Sequence, residues 1–128
     1  MNKKSDQFEI EIILSYLNSN SKKIFNEIIL AKKNKMWATV IVFSLAILDN
    51  IFNDDQYLEF VDGLDISKNK ISKDIIWLRK KRNQILHYDT LDKKNSNNIL
   101  IDHDLKIDSE KAYNILVKSL IRLFPKQI

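Results

Sequence analysis

An arginine, an asparagine and a histidine lie close together at positions 82, 83 and 87, and these side chains could bind phosphate. Arg82 falls in the middle of an apolar stripe on a predicted helix. A buried guanidinium is costly unless a carboxylate, an interface or an anion pairs with it. Asn83 and His87 share a helix face, whereas Arg82 and His87 point about 140° apart. One phosphate could meet both if the helix ends near His87, or if two copies of the segment face each other across a two-fold axis.

Each of these residues also has an ordinary structural explanation. The Arg82 side chain can lay its stem on apolar surface and keep its head in solvent. A histidine at the C-terminal end of a helix is stabilised by the helix dipole. The charges of Arg79, Lys80 and Lys81 can simply form a solvated helix face. The residues alone therefore leave both an anion site and a purely structural role open.

The neighbouring residues favour the functional interpretation. A Trp precedes the group, an Asn directly follows Arg82 and an aromatic residue directly follows His87. Residues 75–89, IIWLRKKRNQILHYD, resemble the signature of the HEPN (higher eukaryotes and prokaryotes nucleotide-binding) superfamily. That signature is an Arg, usually followed by a polar residue, and then a His. Arg82, Asn83 and His87 match it, with residues 83–86 between the Arg and the His.

The resemblance implies an all-α bundle of four or five helices that forms a homodimer, with two Arg-Asn-His motifs in one cleft. It also implies a metal-independent endoribonuclease without a cofactor, acting as a toxin or as an antiviral defence effector. In that chemistry His87 would move protons to and from the ribose 2′-hydroxyl or the leaving 5′-oxygen. Arg82 would stabilise phosphate charge, and Asn83 would orient the histidine or the phosphate. The products would carry a 2′,3′-cyclic phosphate.

Further residues are expected around this site. The expected substrate-binding residues are Arg79, Lys80, Lys81 and Tyr88. Asp49 is a candidate supporting acid near the end of the second predicted helix, where a surface acid is an equally good explanation. A subgroup of HEPN toxins carries a Tyr two residues beyond the His, which a nucleotidyltransferase antitoxin modifies. This chain departs from that pattern, because Asp89 stands there and Tyr88 directly follows His87. His103, in a polar stretch, is given no role.

Two other functions remain open on the sequence. A HEPN-like module can keep the cleft and bind RNA or a nucleotide, or regulate a partner, without cleaving anything. A small helical antitoxin or scaffold with an accidental motif is the third hypothesis. The Arg82, Asn83 and His87 set favours the ribonuclease, because a pure binding module has no need of a proton-transfer residue. The expected partners are RNA, a second copy of the chain, and an antitoxin or defence protein.

The composition limits the class of protein. The 128 residues include one Gly and one Pro, which disfavours hairpins, and no Cys, which excludes disulfides and thiolate chemistry in this chain. A net charge of +4 weakly favours a polyanionic partner. The longest apolar run, residues 40–48, is far shorter than the about 20 residues that span a bilayer, and we interpret it as part of the core. We expect no membrane association and a cytoplasmic location.

Apolar periodicity predicts the helices that must position the motif. They cover residues 5–33, 36–52, 71–87 and 108–124, within one domain over residues 1–128. The polar residues 18–21 could break the first segment into two helices, and Asn34 is a candidate cap for the next one. Polar connections are expected at residues 53–55, around Ser67 and Asn69, and at residues 92–98. Residues 57–61 could form a short helix, residues 98–107 could be extended, and Pro125 should end the last helix.

Overall fold

The computed structural model describes residues 3–53, 65–87 and 102–123, which are helical apart from residues 17–18, 34–36 and 87. Five helices follow one another in these ranges: α1 (Lys3–Tyr16), α2 (Ser19–Lys33), α3 (Trp37–Asn53), α4 (Asp65–Leu86) and α5 (Asp102–Leu123). No strand occurs in the same ranges. The predicted all-α bundle of four or five helices is confirmed for them. The expectations for Tyr88, Asp89, Pro125 and residues 54–61 and 92–101 lie outside the described residues.

The first predicted segment is two helices, and Asn18 marks the break between them. Asn18 has an extended backbone and is the N-cap of α2, where its side-chain oxygen accepts a hydrogen bond from the Ser21 backbone N–H. Its side-chain amide also donates to Asn50 Oδ1 on α3, at 3.1 Å, and the Ser21 hydroxyl donates to the same oxygen. Since Asn50 accepts both bonds, the start of α2 is tied to the end of α3.

The end of α2 is a Schellman turn built without glycine. The Met36 N–H donates to the Ala31 carbonyl at 2.8 Å and the Lys35 N–H donates to the Lys32 carbonyl at 3.3 Å, which is the bonding pattern of that turn. Lys35 adopts a φ of 58°, in the left-handed region. Asn34 is the C-cap of α2, so the expectation that it caps the following helix is wrong.

Two predicted boundaries are wrong, because α4 and α5 both begin about two turns earlier than expected. Ser67 and Asn69 lie inside α4, which starts at Asp65, rather than in a polar connection. Residues 102–107 are helical rather than extended, since α5 starts at Asp102. In both segments polar residues that suit loops also tolerate a helix.

The core lies around α3, which packs against α2, α4 and α5. The predicted core run on α3 is buried at Val40, Ile41, Ser44, Leu45, Ile47 and Leu48. All five helices supply apolar residues to one cluster, including Phe25 and Ile28 of α2, Leu78 of α4 and Leu116 of α5. Two large apolar side chains lie outside this core, since Phe8 is 61% and Leu86 is 55% exposed. None of the described helices has the length and apolar character that crossing a membrane requires.

Candidate functional site

Arg82 meets a carboxylate, one of the three outcomes that its position in an apolar stripe demanded. Its Nη1 lies 3.6 Å from Asp49 Oδ2, and Asp49 belongs to the last turns of α3. The Arg82 side chain is 31% exposed and that of Asp49 is 28% exposed. The guanidinium is therefore neither sunk in the core nor free in solvent, but held at the seam between α3 and α4.

Asp49 is shared by two arginines. Arg79, one turn before Arg82 on α4, places its Nη2 3.0 Å from Asp49 Oδ1. Each carboxylate oxygen thus faces a different guanidinium. Two cations and one anion leave this group with one net positive charge, so it can still attract a phosphate.

Asn83 connects Arg82 to the face of α4 that bears His87. The Asn83 side-chain oxygen accepts hydrogen bonds from Arg82 Nε at 3.4 Å and from Arg82 Nη2 at 3.2 Å. Asn83 and His87 are four residues apart, and both are exposed. The His87 backbone N–H donates to the Asn83 carbonyl at 2.9 Å, directly after the last residue of α4. The guanidinium therefore reaches toward the histidine face through the neighbouring amide, although Arg82 itself projects elsewhere.

The other expected site residues that the structure describes lie on different faces of α4. Lys80 is exposed, and with Ile76, Asn83 and His87 it recurs at spacings of four, three and four residues, so these four lie on one face. Lys81 instead faces α5, where its Nζ lies 3.1 Å from Asp108 Oδ2. Tyr88 lies outside the described residues. The structure thus groups Asp49, Arg79 and Arg82 with Asn83, while Lys81 serves the contact between two helices.

A second polar region, which the sequence motif does not include, lies between α4 and α5. The Lys111 ammonium is 4.2 Å from the centroid of the Trp77 ring, and the Lys81 ammonium is 5.7 Å from it. Beyond this contact is a cleft of ≈ 510 Å³, which we call the α4–α5 groove. It is lined by Asp74, Ile107, Glu110, Lys111, Asn114, Ile115, Lys118, Ser119 and Arg122. The signal in the sequence is the spacing of Lys111, Lys118 and Arg122, which places three cations on one helix face.

The described residues form no metal centre, and the chain has no match among known proteins. Among the described residues, no three His, Asp or Glu side chains are grouped closely enough to hold a metal ion. No family model, curated protein or solved structure matches the chain.

Proposed function

We propose that this chain is a metal-independent endoribonuclease of the HEPN type that acts as a homodimer. The observation that supports it most is the contact between Arg82 and Asn83 at the end of α4, one turn before His87. It joins a cation to an amide on the helix end that also carries the exposed His87. The HEPN-like spacing of the same residues in the sequence supports the proposal independently.

The chemistry is an internal transesterification of RNA. The ribose 2′-oxygen attacks the adjacent phosphorus, the bond from phosphorus to the 5′-oxygen breaks, and a 2′,3′-cyclic phosphate remains. One imidazole takes the 2′-hydroxyl proton, and a protonated imidazole supplies a proton to the departing 5′-oxygen. Arg82 stabilises the charge that develops on the non-bridging oxygens, and Asn83 holds the guanidinium. Asp49, which is also paired with Arg79, holds Arg82 from the other side.

A dimer supplies the second imidazole that this mechanism uses. A base and an acid act in the same event, and one chain has a single His87 on this face. The face also carries Ile76, a large apolar side chain that is 65% exposed, and the neighbouring Leu86 is 55% exposed. Pairing this face across a two-fold axis would cover both apolar side chains and bring the two copies of His87 together.

A ribonuclease of this kind would act on RNA in the cytoplasm. Because uncontrolled cleavage would damage the cell that makes it, we propose a toxin or an anti-phage effector restrained by an antitoxin or a defence partner. The charged groups of Arg79 and Lys80 would add attraction to the RNA backbone that does not depend on sequence.

The test is cleavage of a mixed cellular RNA pool in EDTA by the wild type, by His87→Ala and by His103→Ala. His103 is an exposed histidine on α5 and gives a matched control for removing an imidazole. We expect cleavage by the wild type and by His103→Ala, cyclic phosphate ends on the products, and a loss of at least about 100-fold in rate for His87→Ala.

Other results would overturn the proposal. Equal loss in both histidine variants would show that His87 has no special role. A wild type that binds RNA or nucleotides without cutting them would point to the binding-module function. A protein that sediments as a monomer at working concentration, yet cleaves at full rate, would exclude the shared cleft.

A further inference from the structure

The α4–α5 groove has an ordered row of positive charge along one wall. Lys111, Lys118 and Arg122 recur at spacings of seven and four residues on α5, so they fall within a narrow arc of that helix. With a rise of about 1.5 Å per residue, the row is about 16 Å long. Lys118 is exposed and Arg122 is partly exposed, so solvent and ligands can reach both. The row is a linear track rather than a point site.

One end of this track is closed by contacts between the helices. The ion pair of Lys81 with Asp108 and the Lys111 ammonium over the Trp77 ring hold α4 against α5 there. Because position 81 pairs with 108 and position 77 with 111, the two helices run antiparallel. The groove therefore extends from this closed end toward Asp74 and Arg122, away from the His87 end of α4.

The charges in the groove are mixed in a manner that suits one strand of RNA. The three cations exceed the two acids of the lining, Asp74 and Glu110, by one. Glu110 also interacts with Lys32 on α2, which reduces its repulsion of an anion in the groove. Asp74 and Asn114 offer oxygen atoms that can accept hydrogen bonds from ribose 2′-hydroxyls. A flat anionic membrane could use neither these acceptors nor the depth of the cleft.

We propose that the α4–α5 groove binds a single strand of RNA, with Lys111, Lys118 and Arg122 on phosphates along that strand. This rests on the proposed function in one respect, since the bound strand is taken to be part of the RNA that the motif at His87 cleaves. The groove would hold the strand at a distance from the cleaved bond, as positively charged channels do in proteins that bind single strands without sequence preference.

Binding can be measured without cleavage in a His87→Ala background, by fluorescence anisotropy of a labelled oligouridylate of about 12 nucleotides. The groove triple is Lys111→Gln, Lys118→Gln and Arg122→Gln. The matched control is Lys22→Gln, Lys23→Gln and Lys33→Gln, which removes the same charge from exposed positions of α2. Thermal unfolding of each variant verifies that it is folded.

Affinity falls as salt rises, so the slope of log affinity against log salt is negative. We expect the groove triple to reduce the magnitude of that slope by about 2, because three phosphate contacts contribute about 0.7 each. Between about 50 and 200 mM salt, the background protein would then lose about 20-fold more affinity than the groove triple. The control triple should keep a slope close to that of the background protein.

Three results would overturn the proposed RNA binding by the groove: equal slopes for the two triples, no binding of the oligouridylate, or binding of phosphatidylserine vesicles instead of the oligouridylate. The outcome is separate from that of the histidine test. A lowered slope in a protein whose wild type never cuts RNA would keep the groove and reject the ribonuclease. Cleavage by the wild type with equal slopes would do the reverse.

Discussion

The Asp49 carboxylate at the end of α3 lies 3.6 Å from the Arg82 guanidinium on α4. The two residues are 33 positions apart in the sequence. The same carboxylate holds Arg79 at 3.0 Å. Both arginines and the acid are partly exposed, and ion pairs in such positions contribute about 0–1 kcal/mol to stability. Because Asp49 adds so little to the stability of the fold, we expect its main role to be the positioning of Arg82.

Replacing Asp49 by Asn separates these two roles. We expect Asp49→Asn to lower the free energy of unfolding by no more than about 1 kcal/mol. Under the proposed function it should reduce kcat by about 10- to 100-fold, because the guanidinium is no longer held in place, and leave KM unchanged or lower. Kinetics on a short RNA and thermal unfolding measure both effects. Asp104→Asn, an exposed acid on α5, removes the same charge as a control, and an equal fall in its kcat would contradict a positioning role for Asp49.

Lys35 should be replaceable by glycine with a gain in stability. Its φ of 58° costs a residue with a Cβ about 1–2 kcal/mol, and the greater freedom of glycine in the unfolded chain offsets part of that gain. We expect Lys35→Gly to stabilise the fold by about 0.5–1 kcal/mol in denaturant unfolding. Lys23→Gly, inside α2, should instead destabilise it by about 1 kcal/mol. The same sign for both changes would contradict the left-handed turn.

The bonds that join Asn18, Ser21 and Asn50 should act as a unit. Ser21 is 1% exposed, so Asn50→Ala removes the acceptor of a buried hydroxyl and should cost about 1–3 kcal/mol. Asn18→Ala removes the α2 cap and should cost about 1 kcal/mol. The double variant should cost less than the sum in a double-mutant cycle. Asn26→Ala, exposed in the middle of α2, should be neutral or slightly stabilising. Strict additivity would indicate that α2 and α3 are not coupled here.

Lys32 should make stability depend on alkaline pH. Burial lowers the pKa of Lys32 below 10.5, and the Glu110 charge opposes that shift only partly. Below the lowered pKa the Lys32 ammonium is charged in the folded and in the unfolded chain, so the folded state bears the full cost of desolvating that charge. Between that pKa and 10.5 the unfolded chain binds more protons, and stability contributed by this group therefore rises with pH.

Comparison with Lys32→Met isolates this effect. We expect the variant to be more stable than the wild type at neutral pH, with the difference shrinking as the pH approaches 10.5. Lys33→Met, the exposed neighbour, should show no such trend. Denaturant unfolding across this range provides the measurement. A difference that grows with pH would show that the Lys32 ammonium, 3.4 Å from the Tyr113 ring centroid, gains more from the ring than burial costs it.

The sequence by itself determined the features that depend on the composition and spacing of residues near one another along the chain. Apolar periodicity predicted the helical class, the apolar run at residues 40–48 predicted part of the core, and a cluster of capping residues indicated that the chain could break near Asn18. It also marked Arg82 as a residue that must either find a partner or keep its head in solvent, because a buried and unpaired guanidinium is costly. These are local properties of composition and spacing.

Only the tertiary structure decided which groups meet. It chose Asp49 as the partner of Arg82 and placed Lys81 on Asp108, because packing of α4 against α3 and α5 sets contacts that no sequence spacing encodes. It extended α4 and α5 through polar residues whose local preferences are compatible with either loop or helix. It held Lys35 in a left-handed turn against its own preference, since the hydrogen bonds of the turn and the direction of α3 outweigh the cost at one residue.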